Sequence, residues 1–144
     1  MQLKEIMTPQ VEVIHPEAPI QEAAAIMRAL DVGSAPVYDG LRLQGMVTDR
    51  DITIRATAEG RDPRQTRVRE VMTTDVVFCF DDQRVEEAAL LMEERQIRRL
   101  PILNRNNELV GIVALGDLAL EMEDGRRVGQ VLEGISEPAQ PDRR

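Results

Sequence analysis

The chain is poor in the side chains that most chemistry and most nucleic-acid binding use. Its 144 residues include no tryptophan, one tyrosine, two phenylalanines, one cysteine and one histidine, and the net charge is -8. A nucleic-acid binder needs a basic footprint and usually stacking aromatics, so nucleic acid is not an expected partner. Cys79 has no second cysteine to pair with. Lying in the apolar run Val76 to Phe80, it fits a small buried hydrophobe in a reducing compartment, which predicts a cytoplasmic protein. His15 precedes Pro16 and has no second histidine to work with. With so little material for a nucleophile and base or for a metal centre, the chain is not expected to be an enzyme or to require a cofactor. No apolar run approaches the roughly 18 residues of a membrane span, and Met1-Gln2-Leu3-Lys4-Glu5 lacks the regions of a signal peptide, so no membrane partner is expected.

What the chain does have is a hydrophobic fraction of 42%, enough for one well-buried core, and a length short for two independent domains of typical size. Leu3 to Met7 reads as an amphipathic turn and Val11 to Ile14 as a strand. Pro19 suits the first turn of a helix, and Ile20, Ala23, Ala24 and Met27 recur at helical spacing to about Leu30. Ala35 to Tyr38 and Leu41 to Thr48 form a hairpin around Asp39-Gly40, and a helix runs from Asp49 to about Glu59. Gly60-Arg61-Asp62-Pro63 breaks it.

The same order then restarts. A shift of 65 residues places Glu70, Met72, Thr73, Val76, Glu87, Ala88, Ala89, Met92 and Pro101 on identical residues Glu5, Met7, Thr8, Val11, Glu22, Ala23, Ala24, Met27 and Pro36. Beyond the hairpin turn a shift of 66 pairs Leu109, Gly111, Val113 and Asp117 with Leu43, Gly45, Val47 and Asp51, the extra residue falling in the turn Asn104 to Asn107. Two copies at this period point to a pseudo-symmetric pair sharing a core rather than an array. The expected divisions are repeat one over 3–60, a linker over 61–67, repeat two over 68–124 and a mobile C-terminal tail over 125–144.

The stretch Gly45-Met46-Val47-Thr48-Asp49-Arg50-Asp51 puts a hydroxyl, a helix start and a carboxylate at one corner. Such a corner can hold a sugar and a phosphate: Asp51 can accept hydrogen bonds from both ribose hydroxyls and the helix start offers N–H groups to an anion. The same residue types also serve as plain helix caps.

Taken together, the duplicated motifs resemble a tandem pair of CBS domains, the Bateman module, over Leu3 to Met122. Each copy carries an opening Ile6-Met7-Thr8 or Val71-Met72-Thr73, a strand Ala35-Pro36-Val37 or Leu100-Pro101-Ile102, and a closing Gly-apolar-Val-x-x-x-Asp. The resemblance implies an α/β (α+β) fold of two pseudo-symmetric β-α-β-β-α repeats packed through their sheets. It implies two clefts, each built from the end of one copy and the beginning of the other, that bind adenosine derivatives. The first would use Thr48, Asp51, Thr73, Val76 and Phe78, with Arg50 as a phosphate donor. The second would use Asp117, Thr8, Val11 and Val13, with Ala114 in place of Thr48, a loss of roughly 0.5 to 1.5 kcal/mol for one hydrogen bond. Arg98 and Arg99 stand where family members often have phosphate-facing basic residues, and would serve both clefts.

The ligand expected from this is AMP, ADP or ATP, ahead of S-adenosylmethionine or NAD(H), bound by a non-catalytic sensor with a protein effector. Leu90, Leu91, Ala25 and Ile26 lie off the main helical stripes, which, with the family's habit of pairing modules through helices, predicts a homodimer. The competing expectation is a ligand-free dimerisation or scaffold module.

Overall fold

The structure, a computed structural model, describes residues 1–121; the tail expected over 125–144 lies outside the described residues. The chain is mixed α/β and divides into two compact units whose limits are not those of the sequence repeats. One unit comprises Val11–Val77 with Asn107–Leu109, and the other comprises Met1–Gln10, Phe78–Asn106 and the described residues from Val110 to Glu121. Each unit therefore contains the body of one repeat and the opening segment of the other. We name them the repeat-1 unit and the repeat-2 unit after the body each contains.

In the repeat-1 unit, helix α1 spans Ile20–Leu30. Pro19 precedes it in an extended conformation, its fixed φ suiting a helix entry, and Asp31 ends it in the left-handed conformation at φ 54°. Ile20, Ala23 and Met27 are buried, whereas Ala24, expected on the same face, is exposed. Strands β1 (Ser34–Tyr38) and β2 (Leu43–Thr48) pair antiparallel around Gly40, whose φ of +94° suits a residue without a Cβ. The strand expected over Val11 to Ile14 is reduced to one parallel bridge, Ile14 to Val37: the Ile14 N–H donates to Pro36 and its carbonyl accepts from Tyr38. Helix α2 starts at Asp49 and is regular only to Ile52; Thr53–Thr57 continue it as a π-helical turn, so the single helix expected to Glu59 is a composite.

Into this body docks the opening of repeat two. The 3-10 turn Val68–Glu70 buries Val68, and Val71 follows; both join a core of Ile14, Ile20, Ala23, Met27, Val37, Val47 and Ala56. The Val68 N–H reaches the Ala18 carbonyl at 2.8 Å, and Thr73 and Met46 exchange two backbone hydrogen bonds at 2.8 and 2.9 Å.

The repeat-2 unit repeats this plan. Its elements are β3 (Cys79–Phe80), α3 (Val85–Arg95), β4 (Arg99–Leu103), β5 (Leu109–Ala114) and α4 (Leu115–Glu121), with β4 central in a three-stranded sheet and β3 parallel to it. Val85, Ala88, Ala89 and Met92 form the buried face of α3, while Leu90 is 43% exposed. The 3-10 turn Leu3–Glu5 docks here as Val68–Glu70 does in the other unit: Leu3 donates to Gln83, and Thr8 and Ile112 exchange hydrogen bonds at 2.9 and 3.0 Å.

Candidate functional site

The equivalent sites lie where β2 runs into α2 and where β5 runs into α4. In the repeat-1 unit, Thr48 caps α2. Its hydroxyl accepts from the Asp51 N–H at 2.9 Å, and Asp51 Oδ2 accepts from the Thr48 N–H at 3.1 Å, a reciprocal capping box. The Thr73 hydroxyl, from the docked segment of repeat two, lies 3.4 Å from both carboxylate oxygens. Thus Thr48, Asp51 and Thr73 come together in the repeat-1 unit. Asp51 itself is 1% exposed. Arg50 is exposed and Val76 half-buried.

Arg55 is a participant that the sequence reading passed over. Its Nε is 3.8 Å from Asp51 Oδ1, and its Nη1 donates to the carbonyls of Val71 and Met72 at 3.2 and 3.1 Å. The spacing of four residues from Asp51 on one helical face was the available signal.

In the repeat-2 unit, Asp117 Oδ2 accepts from the Ala114 N–H at 2.9 Å. The capping acceptor of Thr48 has no counterpart, because Ala114 has no hydroxyl. Asp117 is half-buried, Thr8 beside β5 is exposed, and Arg98 and Arg99 are exposed. The Arg98 carbonyl accepts from the Leu115 N–H at 2.8 Å, which fixes these arginines at the start of α4. Neither guanidinium has a hydrogen-bond or ion-pair partner among the described residues. Phe78 belongs to this unit, packed edge-on to Phe80 at 5.4 Å. Val11 and Val13 belong to the repeat-1 unit, where both are half-buried.

The motif glycines are explained by the docked segments. A Cβ on Gly45 would lie 2.6 Å from the Thr73 carbonyl oxygen, and one on Gly111 would lie 2.5 Å from Met7 Sδ. Each glycine clears the strand for the opening segment of the other repeat.

A model of the CBS domain matches residues 3–56 and 68–124. The chain belongs to the CBS-domain family. Among its relatives is the CBS domain-containing protein YhcV of Bacillus subtilis, 49% identical over 134 residues that cover 93% of this chain and 94% of YhcV. Hypoxic response protein 1 of Mycobacterium tuberculosis is 32% identical over 136 residues that cover 94% of each chain, and a crystal structure of Hypoxic Response Protein I with two coordinated zinc ions matches with a TM-score of 0.77 and 33% identity, covering 85% of this chain and 99% of that one. A crystal structure of CBSX2 in complex with AMP matches with a TM-score of 0.70 and 25% identity, covering 83% and 93% of the two chains.

Burial pushes the Cys79 thiol up to about 11, with Glu87 adding to the rise, which leaves it unreactive at neutral pH. His15 accepts from the Glu17 N–H through Nδ1 at 3.1 Å, a local turn contact. Among the described residues no three His, Cys, Asp or Glu side chains gather as metal ligands, and no helix is long and apolar enough to cross a membrane.

Proposed function

We propose that this CBS-domain chain is a non-catalytic regulatory module that binds an adenine nucleotide, AMP or ATP, in the cytoplasm, and works as a homodimer. The observation that carries the reading is the surface at the start of α4. Two exposed arginines without partners among the described residues stand at the start of β4, tied through the Arg98 carbonyl to the start of α4, the helix that carries the half-buried carboxylate of Asp117. Guanidinium groups match phosphate oxygens two at a time, and a carboxylate accepts from vicinal ribose hydroxyls, so the set suits a nucleotide better than either a nucleoside or free phosphate. The AMP complex of the structurally similar CBSX2 supports the adenine base.

Because Thr8 comes from repeat one and Asp117 from repeat two, a ligand held between them engages both repeats. Occupancy would then alter the geometry between repeats, or of the dimer, and a protein effector would read that change. Exposed Ile54 and Leu120, 46% and 84% accessible at equivalent positions of the two repeats, supply apolar surface for assembly.

Isothermal titration of the full chain with AMP, ADP, ATP, S-adenosylmethionine and NADH tests the reading. Saturable binding of an adenine nucleotide supports it. No saturable heat with any of them at millimolar concentration sinks it and leaves a ligand-free dimerisation module in its place.

A further inference from the structure

We propose that Met7 and Met72 are oxidation sites through which a peroxide-class oxidant loosens the docked opening segments. The inference is independent of nucleotide binding.

The two methionines hold the same place in the two units. Met72 lies in the segment docked on the body of repeat one, and its Sδ and Cγ stand 3.0 and 3.3 Å from the point a Cβ on Gly45 would occupy. Met7 lies in the segment docked in the repeat-2 unit, with Sδ and Cγ 2.5 and 2.8 Å from the corresponding point on Gly111. Each thioether thus fills the space that a strand glycine leaves open. The residue after each methionine makes the paired backbone hydrogen bonds that fasten the segment: Thr73 with Met46 at 2.8 and 2.9 Å, and Thr8 with Ile112 at 2.9 and 3.0 Å. Met72 also packs against the apolar core of the repeat-1 unit.

Access separates these two sulfurs from the methionines of the core. Met27 and Met92, on the inner faces of α1 and α3, are 6% and 0% exposed, whereas Met7 and Met72 are half-buried. Oxidation of a thioether follows its accessibility, and a small neutral oxidant reaches a half-buried side chain without unfolding of the protein. The site is therefore open to attack yet sits against the fastening hydrogen bonds.

The chemistry is the transfer of one oxygen atom. A sulfur lone pair attacks hydrogen peroxide, the O–O bond breaks, an S–O bond forms and water leaves, so that sulfur loses two electrons and the peroxide gains them. The product carries a strong acceptor where a weakly polar sulfur lay against the glycine. The adjoining N–H groups of Met46 and Thr73 are already given to each other's carbonyls, and those of Thr8 and Ile112 likewise. An acceptor left without a donor in an apolar contact is costly, so the oxidised side chain turns out toward water and uncovers the glycine. The end of the docked segment then loses its packing, and its hydrogen bonds open more often.

Peroxide treatment of the full native chain, followed by peptide mapping and hydrogen exchange, tests the proposal. Met7 and Met72 should gain oxygen after the exposed Met1 and well before Met27 and Met92. The oxidised chain should melt about 3 to 6 °C lower, and the Thr8 and Thr73 amides should exchange about tenfold faster. The double variant Met7→Leu/Met72→Leu, similar in side-chain volume, should keep its melting temperature through the same treatment although the other methionines remain. If that variant does not fold, the exchange measurement on oxidised wild type carries the test by itself. Oxidation of Met7 and Met72 only in step with Met27 and Met92, sulfoxide formation without faster exchange at Thr8 and Thr73, or an equal melting loss in the leucine variant overturns the proposal.

Discussion

Replacing Gly45 with alanine sets a methyl carbon 2.6 Å from the Thr73 carbonyl oxygen and 3.0 Å from the Met72 sulfur. The oxygen belongs to backbone and cannot swing aside. To restore ordinary contact the docked segment must withdraw by about 0.8 Å. The two hydrogen bonds between Met46 and Thr73, at 2.9 and 2.8 Å, would stretch past the useful range. Two lost backbone bonds cost about 1 kcal/mol each and the forced overpacking about 1 to 2 kcal/mol more, so Gly45→Ala should destabilise by about 3 to 4 kcal/mol. At about 3 °C per kcal/mol for a chain of this length, the melting temperature should fall by about 10 °C in a calorimetric or circular-dichroism scan. Gly111→Ala is the informative comparison, because its Cβ meets the Met7 sulfur at 2.5 Å and Cγ at 2.8 Å, atoms of a flexible side chain that can change rotamer. Its cost should be smaller, about 1 to 2 kcal/mol. Gly116→Ala, with nothing within 4 Å of the new Cβ and a place on α4, should be neutral or stabilising by up to about 1 kcal/mol. A Gly45→Ala protein that melts with wild type, or no lower than Gly111→Ala, would refute the idea that the motif glycine exists to admit the docked segment.

Three further outcomes are expected. Cys79, buried and with its thiol pushed up to about 11, should resist alkylation by iodoacetamide at pH 8 in the native chain and react once urea unfolds it; rapid native labelling would contradict its placement. Glu70 is held below the ordinary glutamate range by the Arg67 N–H and then by Arg61, and Asp82 is held below the aspartate range by the side-chain hydrogen bond from Arg105. Groups depressed in the folded state stabilise above their unfolded values of about 4 and lose that contribution as pH falls through the folded ones. The melting temperature should therefore drop below about pH 4, and less steeply in Asp82→Asn; a melting temperature that rises on acidification would exclude this account. A fragment spanning Val11–Val77 should unfold cooperatively, whereas one spanning residues 1–60 should not, because it lacks the Val68 and Val71 side chains of the same core. Equal cooperativity in the two fragments would show that the docked segment is dispensable.

Much of this was legible in the residues. Hydrophobic spacing located α1 and α3, turn chemistry located both hairpins, and the duplication located each Asp that follows a Gly-apolar-Val strand. The misreadings have physical causes. Val11 to Ile14 has the alternation of a strand, but only Ile14 finds backbone partners, and alternation says nothing about pairing. Ala24 sits at helical spacing yet is exposed, since the buried arc of α1 is narrower than the apolar one. The burial of Asp51 and the reach of Arg55 depend on where the segment Val71–Thr73 docks, which is a tertiary fact. The glycine of the motif was visible at once, but its reason lies in Met72, Thr73 and Met7, far along the chain.

The composition of the two units bears on how such a chain could arise. A lone repeat has a body with an empty groove and an opening segment with nowhere of its own to dock. Two separate copies could satisfy each other only by reciprocal exchange, each lending its first ten or so residues to its neighbour. Tandem duplication makes that exchange internal and replaces a dilute encounter with an effective concentration on the order of millimolar. Where copies exchange segments in pairs, an odd repeat leaves one groove unfilled and one segment unplaced.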